Sequence, residues 1–220
     1  MTTRFDPTLI PSRPSLEFEI SLWNAGSTQV AGIDEAGRGP LAGPVAAAAV
    51  ILPMDPLVGA TLIGVRDSKQ MTPDQREYWA GCLRGVAVDY GIGFASSEEI
   101  DTVGIVLATH RAVLRALSAM RIQPNHLLLD YLTLPDYPIP QTSLTKGDAR
   151  CLSIAAASIL AKTERDRLMD ELDCQYPGYG FTRHKGYGTP EHLKALQRLG
   201  PCPIHRMTFR PIKHEGPAAL

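Results

Sequence analysis

Three stretches of this 220-residue chain place carboxylates where they could act together. The apolar run Val30-Ala31-Gly32-Ile33 ends in Asp34-Glu35, His126-Leu127-Leu128-Leu129 ends in Asp130, and Lys146-Gly147-Asp148 stands just before a long helical pattern. Side chains at strand ends and helix starts project onto a common sheet edge, so acids far apart in the chain can meet there. Hard oxygen donors gathered this way suit Mg²⁺ or Mn²⁺ rather than zinc. The chemistry open to such a set is phosphodiester hydrolysis, in which negative charge grows on the attacking and leaving oxygens. Two divalent ions about 3.5–4 Å apart can stabilise both. Without cations, carboxylates this close would repel one another. Taken singly, each acid is also an ordinary turn or cap residue: Asp148 could cap its helix and Asp130 could begin a loop.

The elements that must position these acids follow from the hydrophobic pattern. A break at Gly37-Arg38-Gly39-Pro40 separates the first apolar run from a second, Val45 to Leu52, which reads as a buried strand. Thr72-Pro73-Asp74-Gln75 combines an N-cap, a proline at the first helical position and a capping-box Gln, and so opens a helix through Leu83. Val86 to Phe94 alternates as a strand would. Helical spacing over Thr102 to Met120 predicts one helix, closed by Pro124 before the strand that ends at Asp130. Three prolines make Tyr131 to Pro140 a loop, followed by a short strand near Thr142 to Thr145 and a long helix from about Arg150 to Cys174. Thr189-Pro190-Glu191 starts a last helix that stops at Gly200-Pro201. Ser15 could cap a short turn of helix carrying Leu16, Ile20 and Trp23 onto the body, with the first part of the lead-in loosely held. Strands mixed with helices throughout predict an α/β sheet layered with helices, with a small C-terminal helical appendage.

Composition narrows the classes. At 44% hydrophobic the chain can bury one substantial core. A net charge of -1 hides an uneven distribution: seven basic residues face only Glu191 between Arg183 and Lys213, a basic contact surface beside an acidic body. The four cysteines form no C-x-x-C pair and no dense framework, which excludes a zinc site or disulfide scaffold and suits reduced thiols in a cytoplasmic protein. No apolar stretch is long enough to span a bilayer, so no membrane partner is expected.

The wording Gly32-Ile-Asp-Glu-Ala-Gly-Arg-Gly-Pro-Leu-Ala-Gly-Pro-Val45 closely resembles the signature of the type 2 ribonucleases H, the ribonuclease HII family. The resemblance continues through Asp67-Ser68-Lys69, Lys146-Gly147-Asp148, Ala155 to Lys162, and Tyr179-Gly-Phe-x-x-His-Lys-Gly-Tyr187, and spans about Val30 to Arg210. It departs at Asp130, followed here by Tyr131-Leu132 where the family commonly has Gly-Asn.

The resemblance implies a ribonuclease H-like mixed sheet flanked by helices, over residues 29–188. A lead-in covers 1–28, and a C-terminal helix with a basic tail for substrate binding covers 189–220. It places the catalytic and metal-binding acids at Asp34, Glu35, Asp130 and Asp148. The implied enzyme uses Mn²⁺ or Mg²⁺ in two-metal-ion catalysis to cut the RNA strand of RNA/DNA hybrids. It also cuts 5' of ribonucleotides embedded in duplex DNA, leaving 5'-phosphate and 3'-hydroxyl ends. Telling RNA from DNA at one nucleotide requires a donor or acceptor against the 2'-hydroxyl, which the backbone of Gly37, Arg38 and Gly39 can supply because glycines permit close approach. The resemblance also implies that Tyr187 stacks on the sugar after the ribonucleotide. Ser68 and Lys69 are candidate phosphate contacts, and His184 and His205 are candidates for proton transfer or phosphate contact. A monomer is expected.

Overall fold

The computed structural model describes residues 10–212. Five strands, β1 (Val30–Ala36), β2 (Val45–Ile51), β3 (Asp89–Ala95), β4 (His126–Asp130) and β5 (Gln141–Leu144), form one sheet in the order β3-β2-β1-β4-β5. The pairs β1/β2 and β2/β3 are antiparallel, whereas β1/β4 and β4/β5 are parallel. The helices are α1 (Glu17–Asn24), α2 (Val58–Thr61), α3 (Pro73–Val86), α4 (Ser97–Val103), α5 (Ile105–Ser118), α6 (Gly147–Arg150), α7 (Leu152–Gln175), α8 (Phe181–His184) and α9 (Pro190–Leu199).

The sequence Val-Ala-Ala-Ala-Ala-Val-Ile of β2 is buried at every position because both sheet faces are covered. Ala47 and Ala49 face Ala112 and Ala116 of α5, while Ala48 and Val50 share a core with Ala155, Ala156 and Leu160 of α7. Small side chains on both partners bring helix backbone close to the sheet. At Gly32 an added Cβ would overlap the main chain of Ser153, and at Gly91 and Gly93 it would overlap the main chain of α5. The first ten residues of α7 are buried on every side, as their unbroken apolar and small-residue run requires.

The helix expected over Thr102 to Met120 is α5, and a separate short helix, α4, precedes it where none was expected. Gly104, at φ 81°, ends α4 and starts α5, and α4 has its own capping box between Ser96 and Glu99. The capping box of Thr72 and Gln75 opens α3 as expected. The helix expected in the lead-in is α1, with Leu16, Ile20 and Trp23 packed onto the body. Leu16 is buried, Ser15 exchanges main-chain hydrogen bonds with Arg150 and Leu152, and the buried Glu19 accepts from the Ser153 amide at 2.7 Å.

At the C-terminal end, Thr189 caps α9 through the His192 amide, and Gly200 at φ 70° ends it. A core of its own, with Leu41, Met169, Phe181, Leu196 and Ile212, fixes α8 and α9 against the loop after β1 and the middle of α7. Among the described residues no helix is long and apolar enough to cross a membrane.

Candidate active site

Asp34 and Asp130 become neighbours because β1 and β4 run parallel, with Ile33 opposite Leu129 in the register. Both acids therefore emerge at the same carboxyl-terminal sheet edge. Asp130 Oδ1 accepts a 2.7 Å hydrogen bond from the Gly147 amide, which holds the start of α6 against β4 and brings Asp148 to the same place. One carboxylate oxygen from each of Asp34, Asp130 and Asp148 lies within 4.8 Å of the other two. Glu35 stands beside this trio and not within it. Its side chain accepts from Arg38 Nη1 at 3.1 Å, and its charge still acts on Asp34 and Asp130.

Burial and mutual repulsion both disfavour the charged forms. Asp34 is pushed well above the usual carboxylate range, first by burial and then by Glu35, Asp130 and Asp148, with the Ser158 hydroxyl working the other way. Asp130 is raised to about 6 by burial and by Asp148, against the opposing Gly147 amide. Lys69 Nζ reaches Asp148 Oδ2 at 3.2 Å from an exposed side chain. Burial opposes its charge, but Asp148, Asp67 and Asp34 together raise its pKa. The other oxygen of Asp148, Oδ1, is buried with no hydrogen-bond partner among the described residues. An orphaned carboxylate oxygen beside two more carboxylates, in an all-oxygen donor set, fits a hard divalent cation.

The departure at Tyr131 has a backbone explanation. Tyr131 sits at φ 56°, in the left-handed region that favours glycine, and is 79% exposed. The chain therefore keeps a glycine-like turn after Asp130 with a tyrosine in it, and the carboxylate stays in place.

Gly37, Arg38 and Gly39 follow β1 directly, with Arg38 and Gly39 exposed. Tyr187, 45% exposed, lies across from them, and a Cβ added at Gly39 would stand 3.9 Å from its ring. Lys162 Nζ is 5.9 Å from the Tyr187 ring centroid, beside a groove of about 530 Å³ lined also by Arg76, Arg167 and Lys185. Ser68 is placed differently: its buried hydroxyl shares a 2.8 Å hydrogen bond with Ser158, which flanks Asp34.

Two features escaped the sequence. Arg206, counted there in the basic contact surface, is completely buried, as is Arg165. Nothing in the spacing separates these arginines from solvated neighbours. His184 and His205 are buried as well, in a network with His192. The Cys202 amide donates to His205 Nδ1 at 2.9 Å, and the His205 and His192 Nε2 atoms are 3.0 Å apart. His192 Nδ1 lies 2.9 Å from the Tyr187 carbonyl. One tautomer set satisfies all three, with neutral rings donating in turn toward Tyr187. Burial lowers the pKa of His192, and it lowers that of His205 to about 4 with help from His192.

A mixed sheet with carboxylates converging at the ends of two adjacent parallel strands, flanked by helices, defines a nuclease of the ribonuclease H type. The family model described as Ribonuclease HII matches residues 31–212. Ribonuclease HII of Geobacillus kaustophilus is 52% identical over 198 residues, covering 90% of this chain and 74% of that one. Ribonuclease HII of Dehalococcoides mccartyi is 48% identical over 200 residues, covering 91% and 94%. The crystal structure of ribonuclease H2 from Pyrococcus horikoshii aligns with a TM-score of 0.71 at 30% identity, over 84% of this chain and 96% of that one. This chain belongs to the ribonuclease HII family and is a metal-dependent endonuclease of the ribonuclease H class.

Proposed function

We propose that the chain cuts the RNA strand of RNA/DNA hybrids and cleaves 5' of single ribonucleotides embedded in duplex DNA, leaving 5'-phosphate and 3'-hydroxyl ends. The observation that carries this reading is the convergence of Asp34, Asp130 and Asp148 beside an exposed glycine loop and the Tyr187 ring. Asp34, Asp130 and Asp148, with Glu35 closing the set, would hold two Mg²⁺ or Mn²⁺ ions that supply positive charge opposite the scissile phosphodiester.

The protein's own groups do the selecting. Amides of Arg38 and Gly39 face the 2'-hydroxyl, and the Tyr187 ring stacks on the next sugar. Arg38, held by Glu35, and Lys69, held by Asp148, place cations beside the backbone phosphates. A second groove of about 910 Å³ lined by Arg183, Lys194 and Arg198 continues the basic surface along the appendage. The setting consistent with this chemistry is a monomeric cytoplasmic enzyme that removes ribonucleotides from DNA.

The test is a labelled duplex with one ribonucleotide, incubated with Mn²⁺ or Mg²⁺. A single nick 5' of the ribonucleotide is expected, with the matched all-DNA duplex left intact. Asp34→Asn should slow the reaction by about a thousandfold while thermal unfolding stays cooperative. Near-normal turnover in that variant would reject the assignment.

A further inference from the structure

Arg165 and Arg206 are both fully buried, and all of their hydrogen bonds go to main-chain carbonyls. Arg206 donates from Nη2 to Gly37 at 2.6 Å, from Nη1 to Arg38 at 2.8 Å, and from Nε and Nη2 to Gly43 at 3.0 and 2.9 Å. Arg165 donates to Pro44 at 2.9 Å, Ala42 at 3.1 Å and Lys185 at 3.0 Å. Neither forms an ion pair among the described residues. Two buried cations without acids are an expensive way to stabilise a fold, so their placement calls for another reason.

The carbonyls they hold belong to the two segments flanking the candidate ribose contact. A trans peptide directs its C=O and N–H to opposite sides. Anchoring the Gly37 and Arg38 carbonyls on Arg206 therefore turns the N–H groups of Arg38 and Gly39 outward, and neither donates to a protein acceptor among the described residues. A charge-assisted bond to a carbonyl also polarises its peptide unit, making the opposite N–H a stronger donor. Arg165 ties this loop to the other segment: it holds Lys185, while the Leu41 amide donates to Gly186 at 2.8 Å, next to Tyr187. Gly37, at φ 90°, lies directly on Arg165, whose side chain any Cβ there would overlap. Burial lowers the pKa of Arg206 to about 9, so it is still a cation at neutral pH.

We propose that Arg165 and Arg206 are positioning residues for ribose recognition. They aim the Arg38 and Gly39 amides at the substrate and lock that loop to the Tyr187 segment. The inference rests on the reading of Gly37-Arg38-Gly39 as the ribose contact.

The test measures binding in an Asp34→Asn background, where turnover is removed. Affinity is compared for a duplex with one ribonucleotide and the same duplex made wholly of DNA. Arg206→Lys keeps the charge with a different donor geometry, and Arg206→Gln removes the charge. The preference for the ribonucleotide duplex should fall about tenfold or more in Arg206→Lys and further in Arg206→Gln, with all-DNA affinity unchanged. A purely structural role would instead lower the bound fraction equally for both duplexes. If neither Arg206 variant folds, Arg165→Lys reads the same ratio. Folded variants that keep the parent's preference would overturn the inference. A parent with no preference would overturn the ribose reading of the loop first, and this inference with it.

Discussion

The molecule buries charge in two regions by opposite means. At the sheet edge, Asp34, Asp130 and Asp148 crowd together with one oxygen unpartnered and with the pKa values of Asp34 and Asp130 raised, an arrangement left incomplete by the protein alone. Below the neighbouring loop, Arg165 and Arg206 hydrogen-bond only to neutral carbonyls and are satisfied from within the chain. On the proposed reading, the first region is completed by a cation and the second is satisfied before any substrate arrives. A binding site needs both: a charge deficit at the reacting centre and a frame that does not move when it is filled.

The carboxylate edge and the buried histidine network next to Arg206 should also respond to acid with opposite signs. His205 has its pKa depressed from 6.5 to about 4, so its contribution to stability is present above 6.5 and lost as pH falls through about 4. The protein should lose about 3 kcal/mol between these limits through His205, and His205→Gln should flatten that part of the profile in urea unfolding at a series of pH values. An unchanged profile would mean the network is not neutral in the wild type.

Asp130 behaves inversely. Its pKa is raised from 3.8 to about 6, so a favourable contribution is present below 3.8 and lost as pH rises through about 6. At neutral pH the metal-free fold carries the full repulsion. Asp130→Asn should therefore stabilise the metal-free protein by roughly 1.5 kcal/mol at pH 7.5 and by nothing at pH 3.5, in the same unfolding assay. Destabilisation at pH 7.5 would show that the Gly147 hydrogen bond outweighs the repulsion.

The smallest effect is at Tyr131, whose φ of 56° strains a side chain that is mostly exposed. Tyr131→Gly should raise stability by about 1 kcal/mol, since glycine adopts this conformation without penalty. A loss of stability would indicate that the ring makes contacts outweighing the strain.

Much of the carboxylate edge was legible because each acid follows an apolar run or precedes a helical one, a local pattern, and the expected meeting of Asp34 with Asp130 holds. The strand pairing behind it was not legible, since the parallel pairing of β1 with β4 joins distant segments and only the register states it. Glu35 illustrates the limit of adjacency. Successive strand residues point to opposite faces, so the residue next to Asp34 stands outside the trio and bonds Arg38. Helix α4 was missed because its seven residues carry too few apolar positions to show a period, and the expected start of α5 at Thr102 ran past Gly104, whose positive φ separates the two. Arg165 and Arg206 were invisible for a different reason. A buried arginine satisfied by carbonyls has no partner residue type to mark it, and in Arg206 the same letter was counted as surface charge.

The most direct test of the central contrast is the position of manganese in a crystal soaked with Mn²⁺, located by its anomalous signal. Density is expected in coordination contact with Asp34, Asp130 and Asp148, with the Asp148 oxygen partnered and the Arg206-held loop unmoved. Density elsewhere, with those three carboxylates apart, would contradict it.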